Sequence, residues 1–129
     1  DKTNNFEKIN TDFNFKKNRI LVEVFSKKSF KKAIKNNIMN PIFNYNAGDF
    51  NFIVRNNIKI ISASVEDILK NQKDFENLIK KSIFIFAYTS SETEFINEYL
   101  GKLFTNVYTD FWDLNLKKCS RKGKICSTY

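Results

Sequence analysis

The sequence predicts an α/β domain, a Rossmann-like parallel sheet flanked by helices, and three stretches predict it. "IKIIS" (58–62) and "SIFIFAYTSS" (82–91) are apolar runs of strand length. Between them, "SVEDILKNQKDFENLIKK" (64–81) repeats its apolar residues with helical spacing. Strand, helix and strand in that order favour parallel pairing through a right-handed crossover. The 129 residues amount to one domain, and 42% hydrophobic content suits a folded chain. No run approaches the roughly 18 apolar residues of a membrane-spanning helix, so no membrane partner is expected.

Taken in order, residues 1–18 are polar with isolated Phe6, Phe13 and Phe15, and read as an extended arm. "RILVEVF" (19–25) is β-branched enough for a short strand. "SKKSFKKAIKNN" (26–37) has helical spacing in Phe30, Ala33 and Ile34, with Ser26 or Ser29 as N-cap. Lys27 and Lys28 then stand in a first turn, where the macrodipole favours anions, and need a negative neighbour. Pro41 and "NAGD" mark a loop, followed by an extended "FNFIV", a polar turn at Arg55–Asn57 and the strand from Ile58. Ser64 caps the helix over 64–81, with Glu66 and Asp67 at its start and Lys80 and Lys81 at its end. The strand over 82–91 reads as buried on both faces. Ser91 and Glu94 form a capping box for the next helix, and "TNVYTDFWDL" (105–114) is a third strand, with Trp112 read as core. Helices are expected on both faces of the sheet. The organisation is a basic arm and short helix (1–39), an α/β domain (40–116) and a basic tail (117–129).

Charge is unevenly placed along the chain. Residues 1–60 carry twelve Lys/Arg against five Asp/Glu, residues 61–116 carry five against nine, and residues 117–129 carry five against none. Basic ends on an acidic body point to a polyanionic partner, nucleic acid first. The candidate phosphate contacts are Lys16, Lys17 and Arg19 of the arm, Lys27, Lys28, Lys31, Lys32 and Lys35 of the short helix, and Lys117, Lys118, Arg121, Lys122 and Lys124 of the tail. Heavy use of Lys, Asn, Ile and Phe fits an A/T-rich coding genome, as in an organelle or a reduced bacterium.

Catalytic chemistry is nearly absent. The chain has no histidine, which removes the usual triads and the common zinc hydrolase sites. Neither "IISASVED" nor "FAYTSSETE" contains a glycine, so no phosphate-cradling loop follows these strands, and no cofactor or metal is expected. Glu66 with Asp67, or Asp110 with Asp113, are read as caps rather than an acid–base pair. Cys119 and Cys126 are read as free thiols, with a local disulfide or half a metal site as alternatives. The arm phenylalanines are candidates for stacking on unpaired bases or docking on a neighbour.

"NP", then "FNFIVRNNIKII", then a capped helix, then "SIFIFAYTSSETEFINEYL" resembles the amino-terminal half of the ribosomal protein S-two family of the small subunit. Asn40 and Pro41, Phe50 and Phe52, and Arg55, Asn56, Ile58, Ile60 and Ile61 carry the resemblance, with Asn57 and Lys59 where the family has Gly and His. It spans residues 40–112. The resemblance implies a structural, non-enzymatic subunit binding small-subunit rRNA and neighbouring ribosomal proteins, with Arg55 and Asn56 joining the rRNA contacts. The other half of the family domain is missing, so the resemblance implies a divergent, truncated or split version, with a separate chain supplying that half if it is split. The location implied is the mitochondrial matrix ribosome, or the cytoplasm of a bacterium with an A/T-rich genome. Two other readings stand beside it: a TIR-like interaction domain, on "FIFAYTSSETEFINEYL", and a small nuclease or toxin-like enzyme.

Overall fold

The computed structural model of the chain describes residues 5–13, 20–88, 93–108, 112–113 and 118–119. Five strands, β1 (Val22–Val24), β2 (Pro41–Asn44), β3 (Ile60–Ser64), β4 (Phe84–Tyr88) and β5 (Asn106–Val107), form one all-parallel sheet in the order β1-β2-β3-β4-β5. Helix α1 (Phe6–Asp12) precedes β1. The crossovers are α2 (Lys27–Lys35), α3 (Phe50–Arg55), α4 (Val65–Lys70) with α5 (Gln72–Lys80), and α6 (Thr93–Tyr99). β6 (Trp112–Asp113) and β7 (Lys118–Cys119) pair antiparallel outside this sheet.

Strand order decides where the helices lie. Strands in chain order, joined by crossovers of the usual right hand, put every crossover helix on the same face of the sheet. The side chains agree: Val24, Phe43, Ile61 and Ile85 stand in register and are all fully buried in the core with Ala63 and Ala87. The alternate positions Glu23, Asn44, Phe86, Tyr88 and Asn106 are half-exposed on the other face, where Ile42 and Ser62 are buried. Both-face coverage is therefore corrected, and with no reversal of strand order the sheet has no switch-point crevice. β4 is likewise one-sided, for Phe84 is 56% exposed while Ile85 and Ala87 are 0%.

Several local readings change as well. The arm contains α1, capped by Asn5, which accepts from the Lys8 N–H; burial of Phe6 in the core supplies what the sequence period lacked. β1 and α2, placed ahead of the domain by composition, are its first strand and first crossover. "PIFN", read as loop, is the strand β2 between β1 and β3. "FNFIV" alternates like a strand yet forms α3, because Ile53 and the ring of Phe52 must reach the core from one side; Phe52 meets Phe30 at 6.1 Å and Phe43 at 5.3 Å. The long helix over 64–81 breaks at Asn71, whose side-chain amide donates to the Asp67 carbonyl and competes with the helical ladder. The Ser64 cap stands as read, its hydroxyl accepting from the Asp67 N–H at 3.0 Å.

Three of the helices stop in the same way. Ile38, Ile58 and Ile83 donate their N–H to Ala33, Ile53 and Leu78 respectively, each at 3.1 Å. One residue earlier, Asn37, Asn57 and Ser82 donate to Ile34, Val54 and Ile79 and take φ values of 58°, 51° and 57°. These paired bonds are Schellman motifs, each sealed by an apolar contact across the turn. The sequences are "AIKNNI" (33–38), "IVRNNI" (53–58) and "LIKKSI" (78–83). Asparagine tolerates the left-handed region and serine does so poorly. Ser82→Gly is therefore expected to stabilise the protein by about 1 kcal/mol, read from the urea midpoint, with a smaller change for Asn57→Gly.

Candidate nucleic-acid interface

The repeated helix stop fixes a row of cations. In each motif the last helical residue is basic, Lys35, Arg55 and Lys80 in turn, so equivalent positions on successive helices carry positive charge. Because the crossover helices run antiparallel to the strands, these ends lie at the amino edge of the sheet. Lys59, Lys81 and Lys102 stand in the loops that enter β3, β4 and β5 and extend the row. All six are exposed, and among the described residues none makes an ion pair. Carboxylates occupy the opposite edge: Asp49, Glu66, Asp67 and Glu94 sit at or near helix starts. The separation is incomplete, for Lys27 and Lys28 begin α2 at the carboxylate edge and Glu98 stands in the last turn of α6 at the cation edge.

A macrodipole already favours cations at a helix end, by about 0.3–1 kcal/mol each. That accounts for Lys35, Arg55 and Lys80 as stabilising residues. It does not account for Lys59, Lys81 and Lys102, which lie outside the helices, or for Lys31 on the exposed side of α2.

The row borders a cleft of about 330 Å³ between the α2–β2 and α3–β3 loops. Lys31 and Lys59 stand at it with Asn56 and Asn57, while Met39 and Pro41 give apolar wall. Asn56 donates its amide to the Phe52 carbonyl at 2.8 Å, which leaves its side-chain oxygen as an acceptor.

The predicted contacts divide into groups. Lys31 and Asn56 line the cleft, while Lys35 and Arg55 end α2 and α3 at the amino edge without lining it. Lys28 is exposed at the far end of α2. Lys27 is committed elsewhere: its ammonium pairs with Asp49 at 2.7 Å and lies 5.4 Å from the Phe52 ring. Asp49 is thus the negative neighbour that a lysine in the first turn of α2 requires. Lys32 sits over the Phe6 ring, 5.9 Å from its centre. Lys16, Lys17, Arg19, Lys117, Arg121, Lys122 and Lys124 lie outside the described residues, as do Ser91 and Cys126; Lys118, Cys119 and Trp112 are placed only as strand backbone. Lys59, Lys80, Lys81 and Lys102 are additions made by the fold.

A second polar group, also missed in the sequence, occupies the open face of the sheet. The Asn44 amide donates to Glu23 (3.4 Å), Ser62 (3.2 Å) and Tyr88 (3.3 Å), and the Ser62 hydroxyl donates to Glu23. Tyr108, stacked on Phe86 at 5.1 Å, has its hydroxyl pKa raised by burial first and by the Glu23 carboxylate second. The polar alternation in "VEV", "FNY" and "ISAS" was its signal. A carboxylate at the centre of this group repels phosphate, so the cation row is the better anion surface.

Tyr45 is the one buried side chain among those described whose polar atom lacks a hydrogen bond. Burial, then the carboxylates of Asp74, Asp67 and Asp49, push its pKa up to about 12, against a weak pull from the Gly48 backbone. The unfolded chain ionises this phenol near pH 10.0 and the native chain near 12, so stability is fully present below pH 10.0 and falls as pH rises through 12. Tyr45→Phe is expected to remove that alkaline fall and to change stability at neutral pH by under about 1 kcal/mol, since the buried hydroxyl has at most a poorly aligned bond with the Gly48 backbone to lose. Urea titrations of both proteins across that pH range check it.

Among the described residues no three His, Cys, Asp or Glu side chains converge as metal ligands, and no helix is long and apolar enough to cross a membrane. No protein-family model, curated protein or solved structure matches the chain.

Proposed function

We propose that this chain is a non-catalytic RNA-binding protein that meets phosphates with the amino edge of its sheet, and that its assembly is the small ribosomal subunit. One observation carries the first part: seven exposed cations, Lys31, Lys35, Arg55, Lys59, Lys80, Lys81 and Lys102, gather on the side of the helix ends, with no ion pair among the described residues to neutralise them. Phosphate contacts of this kind position a protein on RNA without reading sequence. The ribosomal part rests on the resemblance around "RNNIKII". Its "RNNI" half has a second explanation, since "AIKNNI" stops α2 by the same bonds. Exposed Arg55 and Asn56 beside Lys59 are what remain in its favour, and organellar location and the second, complementary chain depend on it.

Cosedimentation tests the proposal. The protein is expected to travel with purified small subunits at moderate salt and to be released as salt rises, because each phosphate contact releases counterions. Binding to naked RNA without binding to subunits would leave the RNA reading and remove the ribosomal one. The open face, with a carboxylate and no cation row, favours neither the TIR-like nor the nuclease reading.

A further inference from the structure

We infer that the cleft at the amino edge takes one unpaired nucleotide of single-stranded RNA, an inference that rests on the RNA-binding reading and makes it specific. Three chemistries meet there in the arrangement such a unit needs. Met39 is 60% exposed and Ile34 50% exposed, an unusual amount of bare apolar surface for positions beside two lysines. They offer a platform for the face of a base, with the buried Pro41 behind them. Amides stand at the rim: among the described residues neither the Asn40 nor the Asn57 side chain makes a hydrogen bond, and the Asn56 oxygen retains accepting capacity. An amide presents a donor and an acceptor side by side, which matches the edge of an unpaired base, whereas A-form duplex RNA keeps the equivalent edges paired or within its deep, narrow major groove. Lys31 and Lys59 supply charge for the attached phosphate, and neither is paired.

Alternative occupants fit less well. A free anion would leave the exposed Met39 and Ile34 unused, and an apolar ligand would desolvate three amides and two ammonium groups for no return. At about 330 Å³ the cleft is at the small end of ligand pockets, suited to one nucleotide rather than a base pair.

The test uses the full chain with fluorescein-labelled ten-nucleotide oligo(U) and oligo(A) RNAs and a duplex of equal length, read by anisotropy at one fixed salt concentration. Single strands are expected to bind at least fivefold more tightly than the duplex. Met39→Ala and Asn40→Ala, both outside the core, are each expected to cost about threefold for the single strands and to leave duplex binding unchanged. Circular dichroism confirms that each variant is folded. Equal affinity for both forms, unaltered in the variants, overturns the nucleotide cleft and leaves the phosphate-binding surface standing. Failure to bind either form overturns the cleft and the RNA reading together.

Discussion

Replacing Lys35, Arg55 and Lys80 together by Gln is expected to weaken RNA binding by about a hundredfold at moderate salt. Each lost phosphate contact lowers the slope of log K against log salt by about 0.7 on a single strand, so the slope should shrink by about 2. The three residues occupy one equivalent position on α2, α3 and α5, and their removal leaves the sheet and its core untouched. A structural cost accompanies the change, a few tenths of a kcal/mol for each helix end deprived of its cation. Urea unfolding measures that part separately. Lys8→Gln with Lys73→Gln, on exposed positions away from the row, is a two-charge control in which Lys8 also gives up its pair with Asp12, and it should leave the slope unchanged. An unaltered slope in the triple variant would show that the amino edge is not where phosphates bind.

Phe43→Ala is expected to cost about 3–5 kcal/mol, enough to unfold much of the protein if its stability is of ordinary size. Phe43 is 0% exposed, lies in β2 between β1 and β3, and packs edge-on against Phe30 at 5.9 Å. Phe84→Ala supplies the contrast. Phe84 is also an aromatic strand residue, but it belongs to the open face, and its loss should cost under about 1 kcal/mol. Similar costs for the two would contradict one-sided packing of the helices. Chemical denaturation of both variants decides it.

The sequence showed plainly those features that are set by short-range chemistry. Ser26 and Ser64 cap the helices they were expected to cap, and the apolar runs at 60–64 and 84–88 are strands in register with each other. Features decided by distant partners were misread. Phe6 sits in a segment without a clear period and Phe52 in one with a strand's alternation, and their helices exist because each has a core to enter. Which face a strand buries is a period-two matter, but whether helices cover one face or two depends on strand order, which leaves no trace in a single element's pattern. The helix stops occur at intervals of 20 and 25 residues, too uneven to register as a repeat.

The interface was half legible for a related reason. Lys31, Arg55 and Asn56 lie where composition is basic. Lys80, Lys81 and Lys102 lie in a stretch with more acids than bases, so summing along the chain hides them. Folding re-sorts those charges by helix end, sending Glu66 and Asp67 to one edge and Lys80 and Lys81 to the other. Net charge per segment cannot report a separation that runs along the helix axis.

The one-sided helix layer also sets a length scale. Neighbouring helices pack about 8–10 Å apart, whereas strands in a sheet are only about 4.8 Å apart. Cations carried at successive helix ends therefore fan out about twice as widely as the strands beneath them, and the path from Lys35 through Arg55 to Lys80 covers roughly 20 Å. A stacked strand with one charge every ~3.4 Å crosses that path with about six phosphates. A trinucleotide reaches only part of the arc, so the shortest RNA able to engage the whole row at once is a hexamer in order of size.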